Sequence, residues 1–295
     1  MESRENPVFG RKIFFLHPNT RIQGVIINPL KKAEYEVYTI SDYKDCKPIL
    51  SENENAICFI NIDEQLSVKE WFNFIYSFKN DLTLSQIIIG VISKNARPQD
   101  KEQFILKLGL PAGFINIMDS PVLIYENIIK ILELNGAKGR RKYVRLDCFG
   151  LNFVKANCMQ QNRLVDFVLD DISSVGFAAR CSKADSAFFQ KGGIYGITLH
   201  LGPKDYIVNA VIYAIKENEK DNTLVFIMAP STAEQIKDEI RNFVFKVLQY
   251  KMNIFVSSAI KDETDYSQEI KIEKQEIEVP HEYEVFNDID DLEPL

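Results

Sequence analysis

The chain has 295 residues, 46% of them apolar and 26% charged, a globular composition long enough for two domains of ordinary size. No run of about eighteen apolar residues occurs, so no membrane insertion is expected, and the charged opening Met1-Glu2-Ser3-Arg4-Glu5-Asn6 lacks the apolar stretch of a secretory signal. The net charge of −7 is unevenly placed: residues 262–295 hold thirteen acidic residues and two lysines, a net −11, which leaves +4 for residues 1–261.

Lys12-Ile13-Phe14-Phe15-Leu16 reads as a buried strand. Ile22, Val25, Ile26 and Leu30 follow at helical spacing, and residues 35–40 alternate like a strand. Residues 56–60 are a second buried-type strand, after which Ser67 opens a helix with Glu70 three places on, a capping box. Residues 86–92 are strand-like, and Pro98 starts a helix carrying Phe104, Ile105 and Leu108. Residues 112–117 read as a short strand, and Pro121 begins a helix carrying Leu123, Ile124, Ile128, Ile131 and Leu132. Five strands alternating with helices imply a parallel sheet covered on both faces.

Gly136 and Gly139 break the helical pattern and mark residues 136–140 as a linker. The periodicity then switches. Residues 144–154, 164–169, 176–181, 196–201, 206–215 and 223–228 are strand-like, which predicts a six-stranded antiparallel barrel. Ser231-Thr232-Ala233-Glu234 reads as a second capping box, ahead of a helix with Ile236, Ile240, Phe243, Val244, Val247 and Leu248 on one face. The expected domains are residues 1–135, 141–261 and an acidic, unstructured tail at 262–295.

Candidate chemistry is concentrated at the joint. Arg140, Arg141 and Arg145 supply planar forks that can bind a phosphate in bidentate fashion or read guanine O6 and N7. Asp171 can accept from guanine N1–H and N2–H₂, Ser173 is a small hydroxyl, and Gly176 permits a conformation or close approach that a side chain would block. The cysteines Cys46, Cys58, Cys148, Cys158 and Cys181 are odd in number and scattered, which fits a reducing compartment, and His17, His200 and His281 show no metal spacing. Neither a metal site nor a catalytic centre is expected: Glu133 and Asp147 lie near the motif without a visible nucleophile or metal partner.

Arg141-Lys142-Tyr143-Val144-Arg145 matches R-x-x-x-R, and Asp171-Ile172-Ser173-Ser174-Val175-Gly176 matches [D/N]-x-S-x-x-G. This pair, in this order within one β-rich region, resembles the PilZ family of cyclic di-GMP receptors over residues 140–252. The resemblance implies a barrel with a closing helix and a binding function rather than an enzyme. It also implies cyclic di-GMP held by Arg140, Arg141, Arg145, Asp171, Ser173 and Gly176. Arg140, directly before the motif, implies two stacked ligand molecules; a bulky apolar residue there accompanies one.

Residues 11–135 resemble a response-regulator receiver domain of flavodoxin-like topology. The acid pair that would hold Mg²⁺ is replaced by His17-Pro18, Asn61 stands at the phosphoacceptor position with Asp63 two residues on, Ser93 fills the Ser/Thr position, and the expected lysine is missing from residues 116–120. Without clustered carboxylates no divalent ion is held, so an interaction module is expected there. The whole then reads as a cytoplasmic receptor that passes ligand binding to an unidentified protein partner through interdomain rearrangement, without binding a nucleic acid polymer. The competing readings are a phosphorylation-responsive regulator acting through Asp63, and a scaffold whose barrel has lost its ligand. The acidic tail is either a solvated extension or an internal competitor of the ligand for the arginines.

Overall fold

The structure is a computed structural model that describes residues 10–268. Its first half is a parallel five-stranded sheet in the order β2-β1-β3-β4-β5, built from β1 (Ile13–Leu16), β2 (Val37–Ile40), β3 (Ile57–Asn61), β4 (Ile88–Ser93) and β5 (Phe114–Asn116). β1 and β3 are buried at every residue, as continuous apolar runs demand when both faces of a sheet are covered. One face packs Ile22, Ile26, Ile124, Ile128 and Leu132 from the flanking helices. The other packs Trp71, Phe74, Phe78 and Phe104.

The helices follow the expected capping chemistry in most places. α1 (Thr20–Ile22), a π-helical turn Gln23–Ile27 and α2 (Asn28–Lys32) form one continuous helical stretch. A short α3 (Cys46–Ser51) fills the connection between β2 and β3, where sequence spacing located no helix. It continues from a 3-10 turn, Tyr43–Asp45, which the Asp42 side chain caps by accepting from Lys44 N at 3.0 Å. α4 (Val68–Ser77) carries the expected capping box, with Ser67 and Glu70 each accepting from the other's backbone N–H. α5 (Pro98–Leu108) and α6 (Pro121–Leu134) both start on proline.

The second half is a barrel. β7 (Val154–Gln160), β8 (Arg163–Ser173), β9 (Gly176–Ser182), β10 (Ile194–Leu201), β11 (Lys204–Glu217) and β12 (Asp221–Met228) pair antiparallel in the order β8-β7-β10-β11-β12-β9. A further β8–β9 pairing closes the ring at six strands. A two-residue β6 (Leu146–Asp147) lies beside the C-terminal half of β8, and one turn of helix, α7 (Lys183–Ser186), follows β9. Full closure leaves no long unpaired edge on the ring.

Two expectations fail here. Residues 144–154 are not one strand: Asp147 Oδ1 accepts from Phe149 N at 2.9 Å, and Gly150 turns the chain at φ +75°, so only Leu146–Asp147 is extended and the true strand starts at Val154. The second capping box does not form either. α8 (Glu234–Ser258) starts two residues later than the pattern implied, with Ala233 rather than Ser231 at the cap and no side-chain cap bond, while Thr232 is buried.

α8 joins the halves. Ile240, Val244, Phe245 and Val247 enter the barrel core, while Leu248, Met252, Phe255 and Val256 pack on the core of the parallel sheet. Gln249 bonds the exposed edge of β2, taking Thr39 N at 2.8 Å and giving to Thr39 O at 3.0 Å, as a neighbouring strand would. After the helix, residues 262–268 are docked against the sheet half. Asp262 N donates to Lys44 O, Tyr266 is buried against Phe74 and Tyr43, and Asn73 Nδ2 donates to both Tyr266 O and Gln268 O. The acidic composition pointed to an unstructured tail from 262. These first seven residues are instead held by specific polar contacts, and the rest of the tail lies outside the described residues.

Candidate ligand site at the joint

The arginine segment lies where the chain passes from α6 to β6. Its start is tied to the sheet half: Gly10 N donates to Gly136 O at 3.0 Å, Ala137 is buried, and Lys138 Nζ donates to Ala33 O over the Tyr35 ring. Burial lowers the Lys138 pKa, opposed by the Glu34 carboxylate and reinforced by Lys142. The linker is therefore anchored up to residue 138, and the irregular backbone is concentrated at residues 139–145.

Around this segment is a cavity of about 340 Å³, lined among others by Arg11, Lys138, Arg140, Arg141, Tyr143 and Arg145, with Glu34 and Glu36 on its wall. Arg140, Arg141 and Arg145 are all exposed. Among the described residues neither Arg140 nor Arg141 forms an ion pair, which leaves two guanidinium forks facing solvent beside the cavity. Arg145 Nη1 lies 3.4 Å from Asp171 Oδ2, with the two side chains 45% and 33% exposed. That pair is long and wet, a weak contact of at most about 1 kcal/mol.

Strand pairing brings the second segment to the first. β6 and β8 place Leu146 opposite Ile172 and Asp147 opposite Asp171, so the residue entering β6 and the residue near the end of β8 meet. Asp171 is thus next to Arg145, but Asp171, Ser173 and Gly176 do not line the cavity itself. Ser173 Oγ donates to Gly176 O at 3.0 Å and holds the turn between β8 and β9. Gly176 is required by close approach: a Cβ there would stand 2.4 Å from Phe226 O on β12, and its backbone is not left-handed. Buried beside this seam, the Cys148 thiol is pushed up to about 12 by burial and then by the Asp171 charge, so it stays neutral.

Sequence spacing passed over Arg11, Glu34 and Tyr143. Lys138, Arg140, Arg141, Lys142 and Arg145 place five cations in eight residues, so the basic character was legible, but Arg11 reaches the cavity only through the fold. Arg11 Nη1 donates to Asn55 O at 2.6 Å while its buried Nε has no partner, and burial lowers its pKa.

The receiver-like positions do different work. Asn61 is buried and its Nδ2 donates to His17 O at 2.8 Å. Asp63 accepts from Ser93 Oγ at 2.6 Å, Lys94 N at 3.0 Å and Asn95 N at 3.3 Å, so its carboxylate fixes the loop after β4. His17 Nε2 meets Glu64 Oε2 at 2.9 Å. Among the described residues no group of three or more His, Cys, Asp and Glu side chains is placed to hold a metal ion, and no helix is long and apolar enough to cross a membrane.

No family model and no curated protein sequence matches the chain. Among solved structures, the chain is similar to the PilZ domain with c-di-GMP of YcgR from Escherichia coli, at 18% identity over 39% of this chain and 97% of that domain, TM-score 0.36. It is also similar to the inhibitor of motility MotI/DgrA of Bacillus subtilis, at 17% identity over 38% of this chain and 53% of that one, TM-score 0.33. A response regulator from Desulfuromonas acetoxidans is similar at 13% identity over 43% of this chain and 98% of that one, TM-score 0.35.

Proposed function

We propose that the chain is a cyclic di-GMP receptor whose ligand is held at the joint between the parallel sheet and the barrel. The reading is supported most by one observation: Arg140 and Arg141 stand exposed and unpaired among the described residues beside a basic cavity, with Arg145 and Asp171 of the second motif segment adjoining. Free guanidinium forks bind phosphates and guanine edges in bidentate fashion, and the long Arg145–Asp171 contact is weak enough to be exchanged for a ligand. Asp171 then accepts from the guanine N1–H and N2–H₂ edge, Ser173 sets the turn that presents it, and Gly176 lets that turn close onto β12. Arg140 supplies a further fork for a second, stacked ligand molecule. Occupancy changes how the halves are held, and a protein partner reads the change.

Calorimetric titration of cyclic di-GMP into the wild-type chain and Arg141→Ala tests the reading. Loss of one bidentate guanine contact is expected to weaken binding by about 1–3 kcal/mol. Equal affinity in the two proteins contradicts it.

A further inference from the structure

Glu34 belongs to the sheet half, yet its carboxylate is spent on the barrel half. Oε1 accepts from Ser174 Oγ at 2.6 Å and from Arg241 Nε at 2.7 Å, and Oε2 accepts from Val144 N at 3.0 Å. Ser174 lies inside the D-x-S-x-x-G segment and Val144 inside R-x-x-x-R, so one carboxylate holds a donor from each motif segment. The side chain is 7% exposed and that of Arg241 14%, in contrast to the solvated Arg145–Asp171 pair.

Local structure gives no reason for a glutamate here. Tyr35 N bonds Leu30 O and Glu34 N bonds Lys31 O, a Schellman ending in which Glu34 takes the left-handed position at φ +60°. Glycine is the usual residue at that position, because a side chain there is strained. A carboxylate at a helix C-terminus also faces the negative end of the backbone dipoles. Both local preferences are overridden, and the compensation is three donors from the barrel half that converge on one anionic group.

Those donors, a hydroxyl, a guanidinium and a backbone N–H, are the set that binds a phosphate oxygen. We infer that Glu34 is an internal anion that stands in for a ligand phosphate at the joint, so that the nucleotide binds in exchange for the Glu34 contacts and thereby unlatches the sheet half from the barrel. The inference rests on the nucleotide reading of the site. Glu34 is the residue that sets how tightly the ligand binds, and its release is the step that the two halves sense.

The test uses the full chain as wild type, Glu34→Gln and Glu34→Gly, each titrated by calorimetry with cyclic di-GMP and, separately, with inorganic pyrophosphate. Glutamine keeps acceptors for Ser174 and Arg241, Asp238 still neutralises Arg241, and glycine relieves the left-handed backbone, so at least one variant retains the fold. Both variants are expected to bind cyclic di-GMP about fivefold or more tighter than wild type, within the range of ordinary coupling between sites. Unchanged or weaker binding in the variants overturns the role of Glu34 and leaves the nucleotide reading standing. Pyrophosphate taken up by the variants alone, with no cyclic di-GMP bound by any protein, keeps Glu34 as an internal anion and overturns the nucleotide reading. Binding of neither ligand by any of the three overturns both.

Discussion

At the scale of single residues, the two motif segments divide into groups that face solvent and groups that build the frame. Arg140, Arg141 and Arg145 are exposed, whereas Ser173 and Gly176 are bound up in the hairpin between β8 and β9. Gly176→Ala would force a methyl group to within 2.4 Å of Phe226 O, a backbone atom that cannot rotate away. It is expected to lower stability by about 1–3 kcal/mol, as overpacking does, and to lower the midpoint of thermal unfolding. An unchanged midpoint would show that β12 shifts freely. The arginines were legible in the sequence because their spacing is local, and the reason for Gly176 was legible only as a choice between conformation and close approach, which the β9–β12 register settles. Glu34 gave no local signal, since its partners lie 110, 140 and 207 residues away.

At the scale of elements, the strap formed by residues 262–268 makes its own prediction. Tyr266 OH donates to Asp262 Oδ2 and accepts from Lys47 Nζ, each at 2.5 Å, and its ring packs against Phe74. Burial pushes the Asp262 carboxyl up, but hydrogen bonds from Thr264 and Tyr266 and the Lys47 charge outweigh it, and its pKa falls below the usual aspartate range. The stability this adds is complete above the ordinary aspartate pKa and is lost as pH falls through the lowered value. Acidification is therefore expected to release the strap before the sheet unfolds, seen as a change in Trp71 fluorescence that Tyr266→Ala abolishes. A Trp71 signal that moves only with global unfolding would contradict this. The buried strands and the α4 capping box were readable from pattern. β7 was not, because its inward side is only Val154, Ala156 and Cys158, a weak apolar signal that ends at Gln160, and the preceding turn looked like strand.

At the scale of the whole molecule, the two halves are joined by a covalent segment, a shared helix and one buried anion. α8 spends its first turns on the barrel and its last on the parallel sheet, and Gln249 sits between them on the edge of β2. Gln249→Ala removes two backbone contacts without touching the arginine-lined cavity, so it is expected to increase amide exchange at Thr39 and along the C-terminal turns of α8 while leaving the affinity for the proposed nucleotide within about twofold. A large loss of affinity would show that the helix belongs to the ligand site. Connectivity of this kind is invisible in local periodicity, since the helix pattern states which face is apolar and not which of two cores it fills.

The most direct test of the central claim is amide hydrogen exchange of the full chain with and without cyclic di-GMP. Protection on binding is expected in residues 139–145 and 171–176, with faster exchange at Val144 only if its bond to Glu34 is broken and not replaced by one to the ligand. Protection confined to other regions, or none at saturating nucleotide, would contradict a ligand site at the joint.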